Sequence, residues 1–190
     1  MKLLMHICCG PCATYPAKAL LEAGHALQGL FYNPNVHPLS EHRLRRESAE
    51  KMLRLMDIAA ETPEGYDIEE FFRRVAFREN DRCAACYHLR LERAARAAAE
   101  RGLDAFTTSL LVSPYQKHEL IRDIGRSVGA EHEIEFYYED FRPGWSHTRA
   151  MSREMGLYRQ KYCGCVYSEK ERFAGGEEKG AADAANGPDA

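Results

Sequence analysis

Seven cysteines are the residues of this chain most able to do chemistry, and none of them stands alone in the sequence. Cysteines that serve only as small buried hydrophobic residues have no reason to cluster. Here they fall into three tight groups: Cys8, Cys9 and Cys12; Cys83 and Cys86; Cys163 and Cys165. The grouping predicts metal binding or thiol–disulfide redox chemistry.

The first two groups together offer a site of four thiolates. Adjacent Cys8 and Cys9 cannot face one ligand from a regular strand, because successive side chains alternate faces. The Gly-Pro pair that follows them predicts a turn from which both can reach one ligand. Cys83 and Cys86 lie three residues apart on one face at the start of a predicted helix, where the helix N-terminus favours thiolate. Four thiolates suit either zinc or an iron–sulfur cluster.

The third group has a different spacing. One residue separates Cys163 from Cys165, so an oxidised pair closes a small, strained ring, and strained disulfides tend to be redox-active. We favour a redox pair over a second metal half-site or two idle thiols. The sequence leaves three roles open for Cys12: a ligand of a second metal, an exchange partner of the other thiols, or a packing residue.

Strand and helix patterns alternate around these groups. Strands are predicted at 2–9, 26–34, 104–112 and 134–141, and helices at 14–25, 40–56, 66–77, 83–102, 115–129 and 147–158. This order predicts an α/β sandwich with a mostly parallel sheet flanked by helices. Because ligands of such sheets bind at the carboxyl ends of the strands, we expect the first cysteine loop and the loop 109–116 to share one rim.

The composition fits one folded domain followed by a tail. The chain has 190 residues, of which 45% are hydrophobic, and a net charge of −3. We predict a single domain over 1–173 and a disordered acidic, Gly/Ala-rich tail over 174–190. No apolar run is long enough to cross a membrane and the N-terminus lacks a signal-peptide pattern. We therefore expect a cytoplasmic protein without a membrane partner, in which structural disulfides are rare.

Six blocks of the sequence carry a more specific signal. They are HICCGPCATYP, FYNPNVHP, FRENDRCAACYHLRLERAA, AFTTSLLVSPYQKHE, FYYEDFRPGW and GLYRQKYCGCVYSEKER, in this order between residues 3 and 173. Together they resemble the cobalamin-independent epoxyqueuosine reductases, the QueH family. The tail lies outside the resemblance.

The resemblance implies a fold, a reaction and a cofactor. The fold is a nucleotide-hydrolase-like (HUP-type) sandwich, and the reaction is the reduction of epoxyqueuosine to queuosine in the wobble position of tRNA, the last step of queuosine biosynthesis. The implied partners are tRNA carrying epoxyqueuosine and an unidentified electron donor. The cofactor is a 4Fe–4S cluster, with an adjacent mononuclear iron as a further candidate. The implied site residues are Cys8, Cys9, Cys83 and Cys86 as cluster ligands, Cys163 and Cys165 as the redox-active pair, and Cys12 as the candidate ligand of the additional iron.

The reaction also needs a proton donor and contacts to tRNA. Deoxygenation of an epoxide takes two electrons and two protons and releases water. Candidate proton donors are His6, Tyr32, His37, His118 and Tyr162. Candidate phosphate contacts are Arg43, Arg45, Arg46, Arg73, Arg74, Arg78 and Arg82. Candidate stacking residues are Tyr32, Tyr115, Tyr158 and Tyr162, and the loop 113–119 is a candidate substrate contact. Each of these residues is, taken alone, more often a packing or surface residue.

Two other functions fit the cysteine pattern. A zinc-stabilised tRNA- or nucleotide-binding module without a redox role explains the first two groups but leaves Cys163 and Cys165 unexplained. A metal-free thiol–disulfide oxidoreductase predicts activity on disulfides and insensitivity to iron removal.

Overall fold

The computed structural model describes residues 1–174. This part of the chain contains one sheet of five parallel strands, in the order β3-β2-β1-β4-β5. The strands are β1 Lys2–His6, β2 Ala26–Leu30, β3 Ala59–Glu61, β4 Ala105–Thr108 and β5 Glu135–Phe136. The α-helices are α1 Gly10–Glu22, α2 Leu39–Leu55, α3 Ile68–Val75, α4 Arg82–Glu100, α5 His118–Glu131, α6 Trp145–Glu154 and α7 Val166–Phe173. The predicted tail lies, apart from Ala174, outside the described residues.

The sheet is covered by helices on both faces, as its sequence requires. In β1, Leu3, Leu4 and Met5 are all fully buried, which is the continuous apolar pattern of a strand covered on two sides. Helix α1 packs against α2 and α6, while α4 packs against α3 and α5. The predicted fold class, an α/β sandwich with a parallel sheet, is confirmed.

Several element boundaries differ from the predictions. Strand β1 ends at His6, before the cysteines, and the Gly-Pro pair opens α1 instead of forming a separate turn. Proline is well accommodated there, because the first turn of a helix does not need its N–H. The short β3 and the helix α7 were not predicted. Only Glu135–Phe136 of the predicted last strand pairs in the sheet.

The strand order creates a crevice beside the first cysteine loop. The chain leaves β1 to one side, through β2 and β3, and later places β4 on the other side of β1. Ligands bind at such switch points. The backbone N–H of Cys8, after β1, donates to Ser109 Oγ, after β4, at 3.0 Å. The two loops therefore share one rim, as predicted.

Gly10 is required for the close packing of α1 on α2. A Cβ at this position would lie 2.4 Å from the backbone oxygen of Ser48 and 2.6 Å from its Oγ. We expect Gly10→Ala to lower the free energy of unfolding by about 3 kcal/mol, the upper range for overpacking, because backbone cannot move aside as a side chain can. Urea unfolding measures this, and Lys18→Ala, on the exposed face of α1, is the control. Equal stability of Gly10→Ala and the parent would contradict the packing argument.

A buried histidine makes the stability of this fold depend on pH. His42, on α2, packs its ring against Phe31 and Tyr66 at centroid distances of 5.4 and 5.0 Å. Burial first, and then the charged groups that face it, lower the pKa of His42 from 6.5 to about 4. Those groups are Arg46, Arg45 and His37.

The unfolded chain therefore binds a proton at His42 at a higher pH than the folded chain does. The contribution of His42 to the free energy of unfolding is therefore fully present above pH 6.5 and is lost as the pH falls towards 4. Between pH 7 and pH 5 this histidine should cost about 2 kcal/mol of unfolding free energy. Urea unfolding of His42→Phe at both pH values should show a drop smaller by that amount than the parent's. An unchanged drop would mean that His42 is not the titrating group.

The described helices include none that is both long and apolar enough to cross a membrane.

Candidate metal and redox site

Three thiols converge in the loop that follows β1. The Sγ atoms of Cys8, Cys9 and Cys12 all lie within 4.8 Å of one another, and all three side chains are buried. Cys9 immediately precedes α1 and Cys12 lies in its first turn, so a single strand-to-helix connection positions the set. We call these residues the cysteine triad.

The triad contains thiols of different acidity. Hydrogen bonds from Cys12 and Cys9, helped by Arg90 and Ser109, hold the pKa of Cys8 well below its ordinary value despite burial. Burial raises the pKa of Cys9, and the hydrogen bond to Cys8 raises that of Cys12. These shifts favour a thiolate at Cys8 over one at Cys9 or Cys12. The thiolate is the form of cysteine that binds metals.

The second pair of thiols lies at the start of α4, as predicted. Burial raises the pKa of Cys83 and raises that of Cys86 to about 12. Burial here outweighs the effect of the helix N-terminus, which favours the thiolate. Cys86 packs with Cys165 in one apolar cluster that also contains Phe71, Val75 and Leu89.

The third pair is split between solvent and core. Cys163 is exposed, whereas Cys165 is buried, and both are free thiols. Gln116 Nε2 lies 3.5 Å from the Sγ of Cys163, and the Sγ of Cys165 lies 3.5 Å from Ser168 Oγ. Cys163 thus faces outward while Cys165 faces the cluster that holds Cys86.

The residue between these two cysteines has to be glycine. Gly164 has φ +143°, and a Cβ there would lie 3.0 Å from Val36 and 3.1 Å from Arg45 Nη1. Its carbonyl accepts a hydrogen bond from the backbone N–H of His37 at 2.8 Å. The loop is therefore held in one conformation by its neighbours.

A buried ion pair also holds this loop in place. Arg45, on α2, pairs with Glu41 at 2.8 Å and donates to the carbonyls of Tyr162 at 3.0 Å and Cys163 at 2.7 Å. Tyr158 donates its hydroxyl to the other oxygen of Glu41 at 2.5 Å. Arg45 and Tyr158 are thus structural residues, and the expectation that Arg45 contacts phosphate was wrong because its nitrogens are buried and occupied.

A cavity of about 460 Å³ lies against these groups. Its lining brings together Cys8 and Cys12 of the triad with Cys163 of the third pair. The other lining residues are Arg45, Leu110, Ser113, Tyr115, Gln116, Trp145, Gln160, Lys161, Tyr162, Ser168, Glu171 and Arg172. Cys9, Cys83, Cys86 and Cys165 do not line it.

Most candidate proton donors are excluded by position or charge. His6 is fully buried, and burial first, then Arg90, lowers its pKa to about 3, so it has no proton to give as an imidazolium at neutral pH. Of the five candidates, Tyr162 alone lines the cavity. Burial raises its pKa to about 12, and its hydroxyl donates to the carbonyl of His37.

The arginine and tyrosine candidates differ in their exposure and in whether they have partners. Arg46, Arg74 and Arg82 pair with glutamates, while Arg43, Arg73 and Arg78 are exposed. Tyr115 is 82% exposed and meets the ring of Trp145 edge-on at 6.1 Å. Tyr115 is the predicted stacking residue that stands free at the cavity rim.

Several cavity residues were missed by sequence reasoning, whereas Gln116, which approaches Cys163, lies in the predicted contact loop 113–119. Gln160 Nε2 lies 3.1 Å from the Sγ of Cys12, and Trp145 and Lys161 line the walls. Gln160 and Lys161 stand just before Cys163 in the stretch RQKYCGC, and this proximity was the available signal. Trp145 comes from a separate element and gave none.

The donor set fits a thiolate-bound metal centre. Soft sulfur ligands select zinc, copper(I) or iron–sulfur clusters, and three buried sulfurs from one loop need only one more ligand for a tetrahedral ion. All seven thiols are free to serve. The residues present therefore fit both a single metal ion and an iron–sulfur cluster.

Comparisons with known proteins give the family. Residues 3–171 match the family model described as "Epoxyqueuosine reductase QueH". The QueH epoxyqueuosine reductase of Dehalococcoides mccartyi is 40% identical, over 90% of this chain and 94% of its own length. That of Thermotoga maritima is 34% identical, over 90% of this chain and 91% of its own length.

A solved structure supports the fold independently. It is described as a predicted subunit of a tRNA methyltransferase from Methanocaldococcus jannaschii, and it matches with a TM-score of 0.53 at 12% identity, over 81% of this chain and 76% of its own. At that identity the likeness shows the fold alone. With the family model and the relatives, it follows that the chain belongs to the QueH family of epoxyqueuosine reductases and is an oxidoreductase enzyme.

Proposed function

We propose that this enzyme reduces epoxyqueuosine, in the wobble position of a tRNA, to queuosine at the cavity described above. The single observation that carries the proposal is the meeting of triad thiols Cys8 and Cys12 with the exposed thiol Cys163 at one cavity. A volume of about 460 Å³ is within the usual range for small-molecule pockets, roughly 300–1,000 Å³. A flipped-out modified nucleoside is a ligand of that size class.

Cys8, Cys9, Cys83 and Cys86 would hold a 4Fe–4S cluster, as the family resemblance implies. Cys12 would contact an adjacent iron, which its place in the triad supports. When bound, the cluster supplies low-potential electrons one at a time. The protein's part is to keep the thiols close together, buried and shielded from water.

Cys163 and Cys165 would act as the two-electron pair. Removing the epoxide oxygen as water consumes two electrons and two protons and leaves a carbon–carbon double bond. Oxidation of two thiols to one disulfide releases two electrons and two protons, so this half of the balance closes. Restoring the dithiol then takes two protons and two electrons, which an external donor must provide. Cys163 faces the cavity and Cys165 the core, which gives the pair a substrate side and a protein side.

The cavity walls offer the contacts that a nucleoside in RNA needs. Tyr115 and Trp145 present aromatic faces on which a splayed base can stack. Lys161 and Arg172 bring positive charge to the same cavity, where a phosphate backbone would pass. Lys161 also brings an ammonium group to the cavity and would protonate the departing oxygen. In this proposal residues 1–173 act as one domain.

Anaerobic purification with metal and sulfide analysis tests the proposal first. We expect a brown protein containing iron and acid-labile sulfide, whose absorbance bleaches with dithionite, and conversion of epoxyqueuosine-tRNA to queuosine-tRNA. A colourless protein that holds one zinc, and that iron and sulfide do not change, would remove the electron source and defeat the proposed mechanism.

A further inference from the structure

Arg90 is a buried cation that has no carboxylate partner among the described residues 1–174. It lies on α4 and is only 2% exposed. Its Nη2 donates to Asn33 Oδ1 at 2.8 Å, its Nε approaches His6 Nε2 at 3.3 Å, and its Nη1 lies 3.7 Å from the Sγ of Cys86. Within residues 1–174, none of the ion pairs formed by arginines involves Arg90. A buried charge normally has a partner, because leaving it alone is costly.

Arg45 provides a comparison, because it is a buried arginine of the same protein that does have a carboxylate partner. Arg45 is equally buried, at 2% exposed, but is neutralised by Glu41 at 2.8 Å. The groups that favour the charged form of Arg90, and so raise its pKa against burial, are Cys86 first, then Cys8 and Cys163. Thiols of all three groups thus act electrostatically on one guanidinium, and that of Cys86 contacts it.

Hydrogen bonds to neighbouring groups fix the side chains that surround Arg90, and so fix the position of its charge. His6 Nε2 lies 3.1 Å from the carbonyl oxygen of Tyr32 and 3.3 Å from Arg90 Nε, and its Nδ1 lies 2.9 Å from Thr108 Oγ1. Asn33 accepts from Arg90 through Oδ1 and donates through Nδ2 to the carbonyl of Ile7 at 2.8 Å. The guanidinium is therefore held between His6 at the end of β1, Asn33 after β2 and Cys86 of the CxxC.

We propose that Arg90 is a positioning residue whose fixed positive charge raises the reduction potential of the thiolate-bound cluster. The inference rests on the proposed function, because it assumes that a cluster is bound. Reduction adds one negative charge to the centre, and a nearby cation in a buried environment stabilises that added charge. Removing the charge should make the centre harder to reduce without removing any ligand.

The test is a dithionite titration of the reconstituted protein, followed by visible absorbance. We expect R90Q to keep the parent's iron and sulfide content but to be reduced at least tenfold less favourably, about 59 mV lower for a one-electron couple. R90K keeps the charge and should stay near the parent. R96Q removes one charge from the same helix, where Arg96 is exposed and pairs with Glu100, and should leave the potential unchanged.

A second variant covers the case in which R90Q does not fold. N33D places a carboxylate where Arg90 Nη2 now donates, so it neutralises the guanidinium without removing it, and it too should lower the potential. Unchanged potentials in R90Q or in a folded N33D would overturn the inference. So would a shift in R90K as large as that in R90Q, or a folded R90Q that retains no iron. A parent protein that binds no iron and sulfide would instead defeat the proposed function.

Discussion

Reconstituted Cys83→Ala protein should be nearly colourless and should bind iron at least about tenfold more weakly than the parent. A four-iron cluster is held by cysteine thiolates, and alanine has no ligand atom to replace the sulfur. Cys83 is half-buried, so its loss removes little packing. Iron and sulfide analysis after desalting, with the visible spectrum, measures the effect.

Two comparisons make this result specific. Ala84→Ser changes the next residue of α4 without removing a thiol and should keep the colour. Cys12→Ala should keep the sulfide and the cluster absorbance but lose iron, because we place an additional iron, not the cluster, at Cys12. A Cys83→Ala protein with the parent's full iron and sulfide would show that the cluster ligands lie elsewhere, with the triad as the first alternative.

Much of the fold followed from local sequence pattern. The buried apolar run of β1 and the alanine-rich α4 are long, uniform signals, and both lie where they were expected. β3 has only three residues and β5 only two, so neither offers a period that can be recognised. Such short strands exist because a neighbouring strand pairs with them, which is a property of the sheet and not of their own residues.

The site could be predicted in part, for a similar reason. The grouping of cysteines along the chain marked the residues, and the strand order placed two of the loops on one rim. What the sequence could not show is direction and burial. It could not separate Arg45 and Arg90, which are buried, from the exposed Arg43 and Arg78. It also could not show that Cys163 faces a cavity while Cys165 faces the core.

That last difference makes Cys163 the most informative residue to change. Cys163→Ala should keep the parent's colour, iron and sulfide, while reduction of epoxyqueuosine-tRNA should fall by about a thousandfold or more, as expected when a group that reacts directly is removed. A single thiol at Cys165 cannot form the disulfide that balances two electrons and two protons. Turnover under anaerobic conditions, measured on the same preparation as the iron content, gives both numbers.

The neighbouring Val166→Ala is the matched control for this variant. Val166 is exposed at the start of α7 and does not line the cavity, so its truncation should change neither the colour nor the rate. If Cys163→Ala lost colour and turnover together, Cys163 would belong to the metal centre and our division between ligands and redox pair would fail. Loss of turnover with colour intact is the pattern expected of a cysteine that meets the substrate, because in our proposal Cys163 lines the cavity without being a cluster ligand.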